Sequence, residues 1–172
     1  MFAKDFFEID LSKVKVDWID PDWQRTPHNY TREEIREWME NLREIQRLCR
    51  EKGYRAEDFE RMRQSPDPKE RAIGQTYHKL YDYEKEGERM NHDYILVEWV
   101  DDHYEVLKGR HRVWMAQQIG LRHMPAMVYA RDEETLRRLR AEGERIAAGE
   151  YPIRDNIPEQ ERHREERRYW LR

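Results

Sequence analysis

The sequence predicts an α+β fold in which helices flank a small mixed sheet. Three observations predict it. Apolar and polar residues alternate at the start of the chain, two strand-like segments joined by a polar turn lie near residue 100, and helical apolar spacing occurs between and after them. A chain of 172 residues can bury one principal core, so we expect these elements to pack together.

The opening segment predicts a strand followed by a loop. In FEIDLSKVKVDW the apolar residues Phe7, Ile9 and Leu11 alternate with polar partners, as in a half-buried strand. The segment DPDWQRTPHN then interrupts the alternation with two prolines and several turn-forming residues. Its polar pair, Gln24 and Arg25, lies in this loop.

A helix is predicted after the loop. Thr31 is followed three residues later by Glu34, a capping-box pair that can satisfy the free amide groups of a helix start. An apolar stripe at helical spacing then runs through EEIREWMENLREIQRLCREKG. Its members are Ile35, Trp38, Met39, Leu42, Ile45 and Cys49.

A helical insertion is predicted over residues 52–92. Its composition is helical but is split by Pro66 and Pro68, which favours two short helices. The second helix is expected to pack on the core through Tyr77, Leu80 and Tyr81. The insertion contains no motif to which a chemistry can be assigned.

The next segments predict a hairpin, a helix and a strand. YILVEWV and YEVLKG are joined by a turn that contains Asp101 and Asp102. VWMAQQIG is predicted to form a helix that ends at Gly120, and MPAMVYA to form a short strand. These elements complete a domain that we place over residues 1–130.

Residues 131–172 are predicted to form a charged helical C-terminal extension. EETLRRLRAEGERIAAGE has few apolar residues, and a polar tail follows it. This composition is typical of a helix that is surrounded by solvent or that docks on a partner.

The composition excludes several classes of protein. Lys and Arg number 33 against 37 Asp and Glu, a net charge of −4, which is the opposite of a nonspecific nucleic-acid binder. The single cysteine, Cys49, excludes an intrachain disulfide framework and a zinc site built on several thiolates. The histidine spacing predicts no metal site. No apolar run approaches the ~20 residues of a membrane span, so we expect a cytoplasmic protein without a membrane partner.

A cluster of basic residues marks the candidate site. Gly109, Arg110, His111 and Arg112 lie between a predicted strand and a predicted helix. A helix start has unpaired amide groups and the positive end of the helix dipole, so cationic side chains there oppose the dipole but favour an anionic ligand. The alternative is that these side chains only solvate a turn.

The span ILVEWVDDHYEVLKGRHRVWMAQQIGLRHMPAMVY resembles the core of the ParB/sulfiredoxin-like superfamily. Its hairpin, glycine-basic box, helix, Gly-Leu step and proline-led strand follow one another as in that family. GRHRVWMAQQIGL aligns without gaps to the partition-protein pattern GERRWRAAKLAGL, sharing the glycine, one arginine, one alanine and the final Gly-Leu. Upstream, Gln24 and Arg25 match the family's Gln-Pro-Arg loop, without its proline.

The resemblance implies a nucleotide site. Family members bind CTP, ATP or ADP with the triphosphate against the start of the boxed helix. Carried over by position, the residues expected to hold a nucleoside triphosphate, with Mg²⁺ as an accompanying ion, are Gly109, Arg110, His111 and Arg112, closed by Gln24 and Arg25 from the neighbouring loop.

Departures from the family patterns narrow the chemistry. Arg110 stands where sulfiredoxins need a cysteine, which argues against sulfinic-acid reduction. Lys108 replaces a carboxylate of the free-serine kinases, which argues against kinase activity. NTPase activity is left open, and no catalytic residue can be assigned.

Two further features could belong to the site. Four tryptophans could stack on a base, Trp23, Trp38, Trp99 and Trp114, but aromatic residues beside apolar periodic positions are more often in the core. Trp23, in the polar loop beside Gln24, is the candidate for stacking. Asp101 and Asp102 could hold Mg²⁺ beside phosphates, but a hairpin turn also favours such residues, and we prefer the turn role.

The leading hypothesis is therefore a nucleotide-binding switch or accessory factor. The alternative is a DNA-binding or nuclease-like protein that contacts backbone phosphate through the same box. A third is a structural module that docks on a partner through its C-terminal helix. The expected partners are a nucleotide, DNA or a protein, and a second copy of the chain in a homodimer.

Overall fold

The computed structural model describes residues 2–82 and 93–149, and within them it has the predicted α+β architecture. The strands are β1 (Ala3–Asp10), β2 (Val14–Lys15), β3 (Leu96–Val100), β4 (His103–Lys108) and β5 (His123–Ala130). The helices are α1 (Arg32–Lys52), α2 (Ala56–Arg63), α3 (Pro68–Tyr81), α4 (Arg110–Gln118) and α5 (Glu133–Ala147). None of these helices is long and apolar enough to cross a bilayer.

The five strands form one mixed sheet in the order β1-β5-β3-β4-β2. β1 pairs with β5 and β3 with β4 in antiparallel fashion, while β3 with β5 and β2 with β4 are parallel. The predicted hairpin is confirmed, with Asp101 at φ 59° in its turn. Because Leu96 pairs with Lys108, the chain entering β3 lies beside the chain leaving β4, where the basic box begins.

Helices cover both faces of the sheet, as β1 shows. The side chain of Glu8 accepts a 2.6 Å hydrogen bond from the Tyr81 hydroxyl of α3, whereas the neighbouring Phe7 lies against Gly143 of α5. Consecutive residues of a strand point to opposite faces. α3 and α5 therefore lie on opposite sides of the sheet.

The helix predicted to be solvated, α5, is part of the packed structure. Leu136, Leu139 and Ile146 are buried, and ion pairs join Arg140 to Asp5 and Glu142 to Lys13. Three apolar side chains on one face are enough to attach a helix whose other faces are charged. The prediction of a solvent-surrounded helix is therefore wrong for this face, while the predicted tail beyond residue 149 lies outside the described residues.

The insertion forms two helices, α2 and α3, as predicted. α3 begins at Pro68, where a proline is tolerated because the first helical amide needs no intrahelical partner. Leu80 is buried in the main core. Burial, with the Glu8 carboxylate beside it, raises the pKa of Tyr81, so its hydroxyl stays protonated and donates to Glu8.

The predicted capping box at the start of α1 is confirmed. Thr31 Oγ1 accepts from the backbone amide of Glu34 at 3.1 Å, and Glu34 Oε1 accepts from the backbone amide of Thr31 at 3.3 Å. Much of the predicted apolar stripe is buried, but Trp38 is only partly buried and Cys49 is exposed. The partial exposure of Trp38 matters for the site.

We expect Thr31→Ala to lower the free energy of unfolding by about 1 kcal/mol, because the backbone amide of Glu34 loses the side-chain oxygen that accepts its hydrogen bond. Urea denaturation measures the change. Glu37→Ala, at an exposed position of the same helix, should shift stability by less than about 0.5 kcal/mol. Equal losses in the two variants would contradict the assigned role of the cap.

Candidate functional site

The first turn of α4 begins directly after a glycine in the left-handed region. β4 ends at Lys108, and Gly109 has φ 98° and ψ 28°. A β-carbon at Gly109 would overlap with Cδ1 of the fully buried Ile95 and would lie 3.2 Å from Nη2 of Arg112. The left-handed backbone conformation therefore favours glycine, and the buried Ile95 side chain would have to shift to admit a β-carbon.

The start of α4 has no capping side chain and no acidic residue in its first turn. Among the described residues, no side chain therefore caps the first amide groups of α4. Such uncapped amide groups at a helix start favour an anionic ligand. The turn consists of Arg110, His111 and Arg112. This arrangement opposes the helix dipole, as the sequence predicted.

A cleft of about 650 Å³ opens at this helix start. One wall is cationic and is formed by the end of β4 and the start of α4. The other wall is apolar and aromatic and comes from α1 and α3. The residues that line the cleft are Thr26, Pro27, His28, Tyr30, Ile35, Trp38, Met39, Thr76, Lys79, Leu80, Asp93, Leu107, Lys108, Gly109, Arg110, His111 and Arg112. The volume lies within the range of small-molecule sites.

The two arginines of the box are held by backbone carbonyl groups. Arg110 Nη1 donates to the carbonyl oxygen of Trp18 at 3.0 Å, and Arg112 Nη1 donates to the carbonyl oxygen of Asp93. Burial lowers the pKa of Arg112, and the charge of Asp93 opposes that shift. Since an arginine stays charged at neutral pH even so, the cleft contains an enclosed cation.

Lys108 adds a second cation close to Arg112. Burial and then repulsion from Arg112 lower the pKa of Lys108. Its Nζ lies 4.3 Å from the ring centroid of Tyr94, a cation–π contact. The mutual repulsion of these groups is relieved when a negative ligand lies between them.

His111 lies between this charged wall and the core. Its ring centroid is 4.7 Å from that of the buried Trp23, in an edge-on arrangement. Burial, followed by the charge of Arg110, lowers the pKa of His111. The imidazole is therefore neutral at pH 7 in this geometry and can donate one hydrogen bond.

Gln24 and Arg25, which the sequence predicts to close the site, do not line the cleft. Gln24 Nε2 donates to the carbonyl oxygen of Asp22 at 3.1 Å, and Arg25 Nη1 donates to Oδ1 of Asn29 at 3.2 Å. Both hydrogen bonds are local to the loop. The loop instead contributes residues 26–28 and Tyr30 to the cleft.

Trp23 anchors the loop. It was the candidate for stacking on a base, but its side chain is buried. Trp23 is 6% exposed and packs edge-on against Trp114, with ring centroids 5.7 Å apart. Arg32 holds the same segment, because its Nη1 donates to the carbonyl oxygens of Pro21 and Trp23. Trp23 therefore positions the loop and His111 and is not available to a base.

The sequence did not predict the apolar wall that α1 and α3 form. Trp38 lines the cleft beside Ile35 and Met39, and Lys79 of α3 lies with its Nζ 4.5 Å from the Trp38 ring centroid. The insertion therefore forms part of the site. The spacing of residues 76, 79 and 80 places them on one face of α3, which could have indicated a shared surface. Nothing in the sequence, however, pairs that face with α1.

The hairpin turn is too distant to assist at the box. Asp101 and Asp102 lie at the opposite end of β4 from Gly109, about 20 Å away at the rise of a strand. Asp102 Oδ1 is 2.9 Å from Nδ1 of His103. No cluster of three or more metal-ligating side chains occurs within residues 2–82 and 93–149.

Comparison with protein families, with curated proteins and with solved structures found no match for this chain. The resemblance to the ParB/sulfiredoxin-like superfamily therefore rests on the sequence motif around Gly109 and stays a prediction. What is established is an α+β fold with a five-stranded mixed sheet and a cleft with one cationic and one apolar wall.

Proposed function

We propose that this protein binds a nucleoside triphosphate, CTP or ATP, and acts as a nucleotide-dependent switch or accessory factor. The observation that carries the proposal is the pairing of two chemically different walls in one cleft. Phosphates would lie at the start of α4, against Arg110 and Arg112. The base and sugar would lie toward Trp38 and Met39.

Each wall matches one part of such a ligand. Open amide groups at a helix start and enclosed arginines bind multivalent phosphate through short, charge-assisted hydrogen bonds. An aromatic ring beside aliphatic side chains offers a base the apolar surface on which it can stack. The size of the cleft suits a small ligand and favours a nucleotide over duplex DNA, the alternative that the sequence left open.

Mg²⁺ fits the proposal as a companion of the phosphates. Asp93 is the one carboxylate among the described residues that line the cleft, and its backbone carbonyl group receives Arg112. With so few oxygen ligands from the protein, the ion would be bound mainly by the nucleotide and by water, as is common for Mg²⁺.

The test is isothermal titration with CTP, ATP, ADP and GTP, each with and without Mg²⁺. We expect binding of a triphosphate by the wild type and a loss of affinity of about 10- to 100-fold in Arg112→Ala, because charge-assisted hydrogen bonds are lost. Arg140→Ala removes an arginine that pairs with Asp5 beside α5, so its nucleotide affinity should be unchanged.

Two results would contradict the proposal. One is the absence of binding to any of the four nucleotides by folded wild-type protein. The other is equal affinity in the Arg112→Ala and Arg140→Ala variants. A salt-dependent shift of a labelled DNA duplex that the Arg112→Ala variant loses, without nucleotide binding, would support the DNA-binding alternative instead.

A further inference from the structure

His111 occupies a position in which positive charge is disfavoured. It is the second residue of α4, at the positive end of the helix dipole. On the loop side its ring meets the indole of Trp23, with 4.7 Å between centroids. That neighbour offers no charge with which an imidazolium ion could pair.

The charged groups around His111 are mostly cations. α4 contributes Arg110 and Arg112 and β4 contributes Lys108, while Arg32 of α1 lies over the Trp23 ring. Lys79 of α3 and His28 of the loop line the same cleft, and Asp93 is the carboxylate among its described lining residues. The loop that carries Trp23 also has two carboxylates beside it, Asp20 and Asp22. Among the charged groups that line the cleft the majority are cations, and the charge of Arg110 acts directly against an imidazolium ion at His111.

These surroundings, together with burial, lower the pKa of His111. A multivalent anion at the start of α4 would reverse that balance, because an imidazolium ion beside it gains an opposite charge and a charge-assisted hydrogen bond. The same histidine would then bind a proton in the complex that it lacks in the free protein.

We propose that anion binding at the cleft is coupled to protonation of His111, so that the site takes up a proton with its ligand and binds more tightly as the pH falls below neutral. This inference rests on the proposed function and adds a pH-dependent control to it. It predicts that the site binds its ligand more tightly at mildly acidic pH than at neutral pH.

The direction of the pH dependence follows from the linkage between proton binding and ligand binding. The complex binds more protons than the free protein between the lowered pKa of free His111 and its higher pKa in the complex. In that window affinity rises as the pH falls, by at most about tenfold per pH unit for one proton. Below the window both states are protonated, and the affinity becomes constant.

Sulfate is the probe, because it keeps its two charges across the range in which histidine titrates, whereas a terminal phosphate does not. Calorimetric titration from about pH 7.5 to about pH 5.5 gives the affinity. Repeating it at one pH in two buffers with different heats of ionisation gives the number of protons taken up. We expect uptake approaching one proton and an affinity gain of about threefold or more across the range.

Two variants assign the proton. His111→Gln keeps a neutral hydrogen-bond donor and should bind sulfate with an affinity that is independent of pH. His28→Gln removes the other histidine that lines the cleft and should keep the pH dependence of the wild type.

Binding of sulfate without proton uptake, or a pH dependence that disappears in His28→Gln and persists in His111→Gln, would overturn the coupling while leaving the nucleotide site intact. If neither sulfate nor any nucleotide binds at any pH, the proposed function fails, and the coupling fails with it.

Discussion

Gly143→Ala is expected to lower the free energy of unfolding by about 3 kcal/mol, although alanine is the better helix former. Gly143 lies in α5 where the helix crosses β1. An added β-carbon would overlap with the backbone carbonyl oxygen of Glu8 and would lie 2.8 Å from its carbonyl carbon. Since the neighbour is strand backbone and not a flexible side chain, α5 would have to move away from the sheet.

Denaturant unfolding of the Gly143→Ala variant measures this loss. Glu144→Ala is the matched control, because Glu144 is the next residue of α5 and is exposed, and its stability should change by less than about 0.5 kcal/mol. A Gly143→Ala variant as stable as the wild type would mean that α5 does not pack on β1 at this distance.

The second large effect is expected at Gly109, where alanine should both destabilise the fold and weaken the proposed anion site. Its φ of 98° costs an L-residue about 1–2 kcal/mol. The overlap with the buried Ile95 and the close approach to Arg112 add to that cost. We expect a total near 3 kcal/mol and about tenfold or weaker binding of sulfate and of the nucleotide, because the Arg112 guanidinium is displaced.

Gly53→Ala separates the two contributions. Gly53 also has a positive φ, 65°, at the end of α1, but no atom lies within 4 Å of an added β-carbon. It should therefore lose only the backbone contribution of about 1 kcal/mol, with ligand affinity unchanged. If the two variants lose equal stability and Gly109→Ala binds sulfate normally, the packing around Gly109 does not shape the site.

Features that depend on near neighbours were predicted well. The capping box of Thr31 and Glu34 and the hairpin around Asp101 form within a few residues of chain. The same holds for the uncapped cationic start of α4, because a glycine followed by three basic residues after a strand leaves little choice of local structure. For these features, interactions between residues that are close in the sequence determine the structure.

Some long-range packing was predicted, since Leu80 and Tyr81 of α3 do pack on the core, but the pairing of α3 with α1 at the cleft was not. Trp38 and Lys79 are far apart in the sequence, and their contact exists because α1 packs on α3. Gln24 and Arg25 matched a motif, but their side chains found partners within the loop. A motif match does not indicate whether a side chain will form hydrogen bonds within its own loop or contact a distant cleft.

By itself, then, the sequence determined the kinds of elements and the cationic helix start, because hydrogen bonding and steric limits between adjacent residues decide both. Only the tertiary structure decided that α3 and α1 supply the apolar wall and that α5 is attached to the sheet. Those outcomes depend on which helix faces meet, and an amphipathic pattern specifies that a face will be buried without specifying its partner.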